Sequence, residues 1–426
     1  MNEWKLLNPD QQAAVEDILL WLASDSPYYV LSGAAGTGKT YTLRELLACI
    51  PGQVVVTAPT NKATRVLRET LTSEDYTPIC RTTYSLLGLR LAPDGEIKRL
   101  TSPEDPVDLK SLSMVVIDEA SMVNQQLMVE IEKATQHGRL KILFLGDPNQ
   151  LPPVKEGMSP VWKLTENKSD LQKVMRFDNQ ILVLANRIKE VVNHPAPSIK
   201  LTPDNNCIEG VWLENKGQFI ESIMRSARLG NFADTSSLTK AIAWRNATVA
   251  ELNSLIRRQI FDNSEESKWF IGDRIILTAP ASDFEGHSIG CTDDEGTISR
   301  VEIAPHPIHG DFQCFNLSVI TDENKRIDLW LLHPDSEFEF RLRANNLAND
   351  ARLWPKKWKA YWEFMESFHQ AQHGYAITAH RAQGSTYNTC YVAWTDILAN
   401  RNRNEAFRCL YVAVTRPCKK LILGTW

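Results

Sequence analysis

Apolar and polar positions alternate along the chain in two rhythms. Val15, Ile18, Leu19 and Leu22 recur at helical spacing behind Asn8 and Pro9, a capping residue and a first-turn proline, and predict a first helix. Strand-like runs follow at Tyr28–Ser32, Gln53–Thr57, Met114–Ile117 and Lys141–Leu145, with a helix expected over 38–49. Strands that alternate with helices predict a parallel sheet joined by crossovers. Residues 179–240 read as helical. Ala241–Trp244, a helix from Thr248 to Phe261 and Arg274–Thr278 look like the start of a second α/β unit. Beyond Ala279 the chain shows short strand-like pieces and turns, among them Asp293-Asp294-Glu295-Gly296 and His309-Gly310-Asp311, as a small β-barrel would. A helical piece over 355–370 follows, and α/β character returns from Tyr375 to Trp426. The pattern predicts an α/β protein whose second α/β domain is interrupted by a β-rich insert.

Composition narrows the class. At roughly 150 residues per domain, 426 residues suggest about three domains. With 43% hydrophobic and 23% charged residues the chain can bury large cores, which excludes disorder and collagen-like repeats. A net charge of −5 argues against coating nucleic acid by bulk positive charge, but not against a local groove that grips a strand. The eight cysteines include no CxxC pair, so structural zinc is not expected and a reducing compartment is. The first residues lack the basic start of a signal peptide, and no apolar run approaches a membrane span. A soluble, cytoplasmic protein without a membrane partner is expected, in a bacterium or a phage-infected host.

Chemistry concentrates in a few short motifs. Gly33-Ala34-Ala35-Gly36-Thr37-Gly38-Lys39-Thr40 fits the phosphate-binding loop GxxxxGK[ST] between a strand and a helix. Gly33, Ala35, Gly36, Thr37 and Gly38 would present backbone N–H groups to phosphate, Lys39 would neutralise the β/γ oxygens, and the Thr40 hydroxyl would ligate Mg²⁺. Asp118 and Glu119 end the run Met114–Ile117. There Asp118 would hold Mg²⁺ through water and Glu119 would act as general base. A second polar strand end, Gly146-Asp147 with Gln150 behind it, completes a nucleoside-triphosphatase pattern in which Gln150 senses the γ-phosphate or the water.

GAAGTGKT, VVIDEASM and LGDPNQLPPV, in this order, resemble motifs I, II and III of superfamily 1 helicases. Gly374–Ser385 resembles motif V and Leu410–Arg416 motif VI. The likeness is strongest to the 5′-to-3′ branch that holds the Dda and RecD-like enzymes, and it covers nearly the whole chain. It implies two RecA-like motor domains, ATP and Mg²⁺ as cofactors, and single-stranded DNA and fork duplex as partners. The domains would be 1–178, carrying a hairpin at 86–108, and 179–282 with 376–426, interrupted by an SH3-like insert at 283–375. It also implies Arg176 and Arg416 as arginine fingers, Asp147 and Gly384 at the nucleotide, and Pro59, Thr60, Asn61, Thr82, Ser85, Thr378, His380 and Gln383 at the strand. Two departures stand out: Tyr84 replaces a histidine, and Thr386 replaces a frequent glutamate.

Several assignments stay open on the residues. Gln11 would read adenine by family likeness, yet Asn8-x-x-Gln11 is also capping-box spacing. Thr60 and Thr82 suit ordinary helix caps as well as phosphate contacts. Trp354, Trp358, Trp362 and Met365 fall at helical spacing and suit either a packing face or base stacking. Leu89–Leu91 and Ile97–Leu100 read as hairpin arms around Ala92-Pro93-Asp94-Gly95, which suits a type I turn and stands where the family places its strand-separation pin. Rival readings are an RNA-directed superfamily 1 helicase and a P-loop switch that does not translocate. Activity as a monomer is expected, with single-strand-binding, replication or recombination proteins as possible partners.

Overall fold

The computed structural model describes residues 7–73, 77–91, 97–99, 107–135, 140–153, 156–173, 180–193, 199–206, 209–235 and 238–426. The chain forms two compact units, Met1–Lys216 with Ala382–Trp426, and Gly217–Arg381. No helix among the described residues is long and apolar enough to cross a membrane.

The first unit is built on a six-stranded parallel sheet in the order Ile79–Thr82, Gln53–Ala58, Leu112–Ile117, Lys141–Gly146, Tyr28–Gly33, Lys168–Leu171. Its four central strands are mostly apolar, because both faces are covered, while the edge strands Ile79–Thr82 and Lys168–Leu171 carry polar residues. Successive side chains leave to opposite faces. Tyr29, Leu31, Val54, Val56, Met114, Val116, Leu143 and Leu145 join one core with the helices Pro9–Leu22 and Lys39–Leu47. Val30, Val55, Val115, Ile117, Ile142 and Phe144 join the other, against the helix Gln125–Thr135. Leu89–Leu91 and Ile97–Arg99 pair antiparallel beside it, while the expected turn Ala92–Gly95 lies outside the described residues.

A second sheet of the same unit joins Tyr387–Ala393, Pro417–Gly424 and Gly210–Glu214 in parallel, with Asp204–Asn205 antiparallel at the edge. This corrects the reading of 179–240 as helical throughout. Helices occupy Gln180–Asn193 and Lys216–Arg228, but two strands, Asp204–Asn205 and Gly210–Glu214, lie between them. The longer was missed because Gly-Val-Trp-Leu-Glu is too short to show a period.

In the second unit Thr239–Ala243 pairs in parallel with Ala376–Thr378. The Asn253 side chain, from the helix Asn246–Ile260, accepts from the Ala376 N–H at 2.8 Å and donates to its carbonyl at 3.1 Å. A five-stranded antiparallel sheet follows, ordered Arg326–Leu332, Gln313–Thr321, Glu295–Pro305, Arg274–Leu277, Ala371–His373. Arg274–Leu277 therefore belongs to the antiparallel sheet, not to a parallel α/β unit as its apolar run suggested. Gly296 is required where the strands cross closely, since a Cβ there would stand 2.6 Å from a Val319 methyl and 2.7 Å from the Ile320 carbonyl. Two helices, Glu337–Leu353 and Trp358–Glu366, pack against this sheet around Phe312, Phe364 and Phe368. The helix expected over 355–370 is the second of these, and the longer first one was not foreseen.

Candidate active site

Parallel strands place their carboxyl ends on one edge, and in this topology that edge carries the chemistry. Gly33 ends one strand and opens the phosphate loop, Ile117 delivers Asp118, and Gly146 delivers Asp147. Gly36 and Gly38 hold φ of 85° and 83°, a region that penalises any side chain. A Cβ on Gly38 would also lie 2.5 Å from the Gln11 amide nitrogen.

Gln11 serves two structures at once. Its carbonyl accepts from Asn8 N–H at 3.0 Å and Asn8 accepts from Gln11 N–H at 3.0 Å, a complete capping box. Its amide donates to the Thr37 carbonyl in the phosphate loop at 3.1 Å. The Thr37 hydroxyl donates to the Ala34 carbonyl at 2.9 Å. Lys39 Nζ donates to the carbonyls of Gly33 and Ala34 at 2.7 and 3.1 Å, so the ammonium lies folded within the loop.

A cavity of about 560 Å³ opens on this edge. Gln11, Ala35, Gly36, Gly38, Lys39, Thr40, Asp118, Glu119, Gln150, Gly384 and Arg416 all line it, together with Tyr41 and Ser385. Two buried side-chain atoms on its wall, Gln150 Oε1 and Ser385 Oγ, have no hydrogen-bond partner among the described residues. Unsatisfied buried polar atoms are costly unless something binds them. A concave wall with a lysine, a threonine hydroxyl, loop N–H groups and paired carboxylates fits a magnesium-bound triphosphate in charge and donor type.

Glu119 takes φ of 51°, rare for a residue with a side chain, and its N–H donates to Asp118 Oδ1 at 2.8 Å. Burial, then the neighbouring Glu119 charge, pushes the Asp118 carboxyl up to about 7, against the opposing pull of that N–H and of Lys39. Gln383 Nε2 donates to Ser121 Oγ at 3.1 Å and stands 3.4 Å from Glu119 Oε2.

Asp147 is wholly engaged with protein. One oxygen accepts from Ala35 N–H at 3.2 Å and Tyr411 OH at 2.7 Å, the other from the Asn149 backbone and amide at 2.9 and 3.0 Å. It ties the phosphate loop to the helix Arg403–Val414. From the same helix Arg408 donates to the carbonyls of Pro148 and Gln150 at 2.6 and 2.8 Å. Sequence reasoning missed Arg408, Tyr411 and Ser385. The available signal was an arginine and a tyrosine, three apart, within the otherwise apolar stretch Ala406–Val414. Arg416 is buried on the cavity wall and donates to the Val412 and Ser385 carbonyls and the Thr415 hydroxyl. Arg176 lies outside the described residues.

The expected strand-contact residues fall at strand ends. Pro59, Thr60 and Asn61 follow Gln53–Ala58, whose neighbour Ile79–Thr82 delivers Thr82 and Ser85 to the same edge. Thr60 and Thr82 are helix caps, accepting from the N–H groups of Ala63 and Ser85. In the second unit the Thr378 hydroxyl accepts from Arg381 N–H at 3.3 Å, and His380 is exposed on the turn of helix that follows.

Known proteins resemble this chain over part or nearly all of its length. Residues 6–210 match the model of an AAA domain and residues 373–423 that of the UvrD-like helicase C-terminal domain. The ATP-dependent DNA helicase dda of Enterobacteria phage T4 is 23% identical, over 96% of this chain and 97% of that one. The ATP-dependent RecD2 DNA helicase of Deinococcus radiodurans is 33% identical over 37% of this chain and 21% of that one. The crystal structure of a Bacteroides Pif1 helicase in complex with ADP-AlF3 and ssDNA superposes with a TM-score of 0.56 at 15% identity, covering 98% of this chain and 92% of that one, so the two-domain RecA-like fold is shared. The chain resembles the superfamily 1 helicases of the 5′-to-3′ branch, among them Dda and the RecD-like enzymes.

Proposed function

We propose that the protein is an ATP-dependent DNA helicase that moves 5′ to 3′ along single-stranded DNA and opens duplex ahead of it. The observation that carries the reading is the single cavity where the phosphate loop, Asp118, Glu119, Gln150 and Arg416 meet. Thr40 and Asp118 would hold Mg²⁺, which neutralises phosphate charge when bound. The loop N–H groups and Lys39 orient the triphosphate. Glu119 accepts the proton of the attacking water, held by Gln383, and Gln150 offers its unpaired carbonyl to that water. Arg416, with Arg176 as second finger, meets charge on the transferring phosphoryl group.

Pro59, Thr60, Asn61, Thr82, Ser85, Thr378, His380 and Gln383 would form the strand track, contacting phosphate without reading sequence. Residues 1–178 would be the first motor domain and 179–282 with 376–426 the second, with 283–375, which holds four of the five antiparallel strands, as an SH3-like insert; the fifth strand, Arg274–Leu277, falls before that boundary. The hairpin Leu89–Leu91/Ile97–Arg99 is the pin in this reading. The test is unwinding of a duplex bearing either a 5′ or a 3′ single-stranded tail, with ATP hydrolysis followed in parallel. Unwinding from the 5′ tail and strand-stimulated hydrolysis are expected. Equal or better unwinding from the 3′ tail removes the polarity, and hydrolysis indifferent to any strand removes the motor.

A further inference from the structure

The second unit carries a surface that the nucleotide chemistry leaves unused. Residues 341–362 hold six basic side chains, Arg341, Arg343, Arg352, Lys356, Lys357 and Lys359, and one acid, Asp350, in a protein of net charge −5. They run from the helix Glu337–Leu353 through the turn Pro355–Lys357 into the helix Trp358–Glu366. Lys357 pairs with Asp350 at 2.7 Å and Lys359 with Glu363 at 3.6 Å, exposed pairs that hold the lysines weakly. Lys356 has no ion-pair partner among the described residues.

Aromatic residues are interleaved with these charges. The core beneath is closed by Phe312, Phe364 and Phe368, with Phe340 and Leu347 against them. Trp354 ends the first helix and is 66% exposed, beside Leu353 at 74%. Trp358, Tyr361 and Trp362 are half-buried and lean on one another, with ring centroids 5.3 Å apart for Trp358–Tyr361 and 4.9 Å for Tyr361–Trp362. The tryptophans thus do not form one stripe of one helix: Trp354 closes the first and Trp358 opens the second.

An apolar partner would leave the cations unmatched, and an acidic protein face would leave the rings idle. A single strand matches both, with phosphates for the lysines and flat bases for an open indole. We infer that Arg352, Trp354, Lys356, Lys357 and Lys359 form a second single-strand-binding surface, additional to the track of the motor motifs. This rests on the reading of the chain as a motor on single-stranded DNA.

The test is equilibrium binding of a fluorescein-labelled oligothymidylate of about twenty nucleotides to the full chain across a salt series. The exposed triple variant Lys356→Ala/Lys357→Ala/Lys359→Ala flattens the slope of log affinity against log salt by about two, at roughly 0.7 for each phosphate no longer neutralised. Trp354→Ala weakens binding about tenfold and Trp354→Phe recovers most of it, a rescue that a folding defect does not give. The maximal hydrolysis rate at saturating strand stays at the parental value in all three, since none of these residues lines the cavity. If the parent shows strand-stimulated hydrolysis while the variants keep its affinity and salt slope, the surface is overturned and the motor reading stands. If the parent shows no strand stimulation, both fall together.

Discussion

Glu119 and Asp118 are adjacent carboxylates to which the proposed function gives different tasks. Glu119 takes a left-handed turn, and its N–H is spent on Asp118. Glu119→Gln keeps the shape and the Gln383 contact but removes the proton acceptor. Nucleotide binding is expected to survive and turnover to fall below a few per cent of the parent, read by filter binding beside steady-state hydrolysis. Lys39→Ala should lose hydrolysis altogether, because no other cation on the loop replaces the ammonium. Asp118 supplies a pH signature. Its pKa in the fold is about 7 against an ordinary 3.8, so the unfolded carboxyl ionises first as pH rises. The empty protein therefore loses stability between those values, and Mg²⁺, which needs the ionised form, is bound with release of a proton. Stabilisation by Mg²⁺ and nucleotide, measured as a shift in melting temperature, should grow from pH 6 to pH 8. Asp118→Asn should abolish that growth.

At the scale of elements, the second unit is fastened by a buried charge cluster. Lys240 contacts Glu295 at 2.7 Å and the Gly374 carbonyl at 2.6 Å, while Arg274 reaches Asp322 at 2.6 Å and Glu295 at 3.5 Å. These contacts join the parallel pair Thr239–Ala243/Ala376–Thr378 to the antiparallel sheet. Lys240→Met leaves Glu295 buried with Arg274 as a distant partner and should destabilise by about 3 kcal/mol in urea unfolding, while adding Glu295→Gln should recover part of the loss. None of this was legible in the sequence, where Lys240 and Glu295 are ordinary charges 55 positions apart. What the sequence did show are elements with local causes: the capped first helix, the apolar runs of a doubly covered sheet, the glycine turns of the phosphate loop. The helix Glu337–Leu353 escaped because Phe338 and Phe340 alternate as in a strand and only Ala351 along it is fully buried. The cavity residues drawn from sequence motifs meet in space. The arginine and tyrosine that anchor Asp147 and its loop do not announce themselves, since their partners are a carboxylate and carbonyls 258 to 264 residues away.

Across the whole molecule, a motor must let the strand it holds set the rate at which it hydrolyses ATP. Gln383 is the residue best placed to carry that message. It stands directly after the one-turn helix Ala379–Ala382, which holds His380 and follows Thr378, both expected at the strand, and its amide reaches Ser121 and Glu119, the proposed base. In the proposed function, a strand that shifts this segment would move the amide, and the amide would orient the base. Orientation of a general base is worth about 10²–10⁴-fold, enough to account for a large stimulation without any new catalytic group. Gln383→Leu keeps the bulk of the side chain and removes both hydrogen bonds. The ratio of strand-stimulated to basal hydrolysis is expected to fall toward one, while affinity for single-stranded DNA changes by less than about threefold, since one phosphate contact among many is at stake. Affinity that collapses with the stimulation ratio preserved would place Gln383 on the strand alone, and the link from strand to base would have to run through another residue.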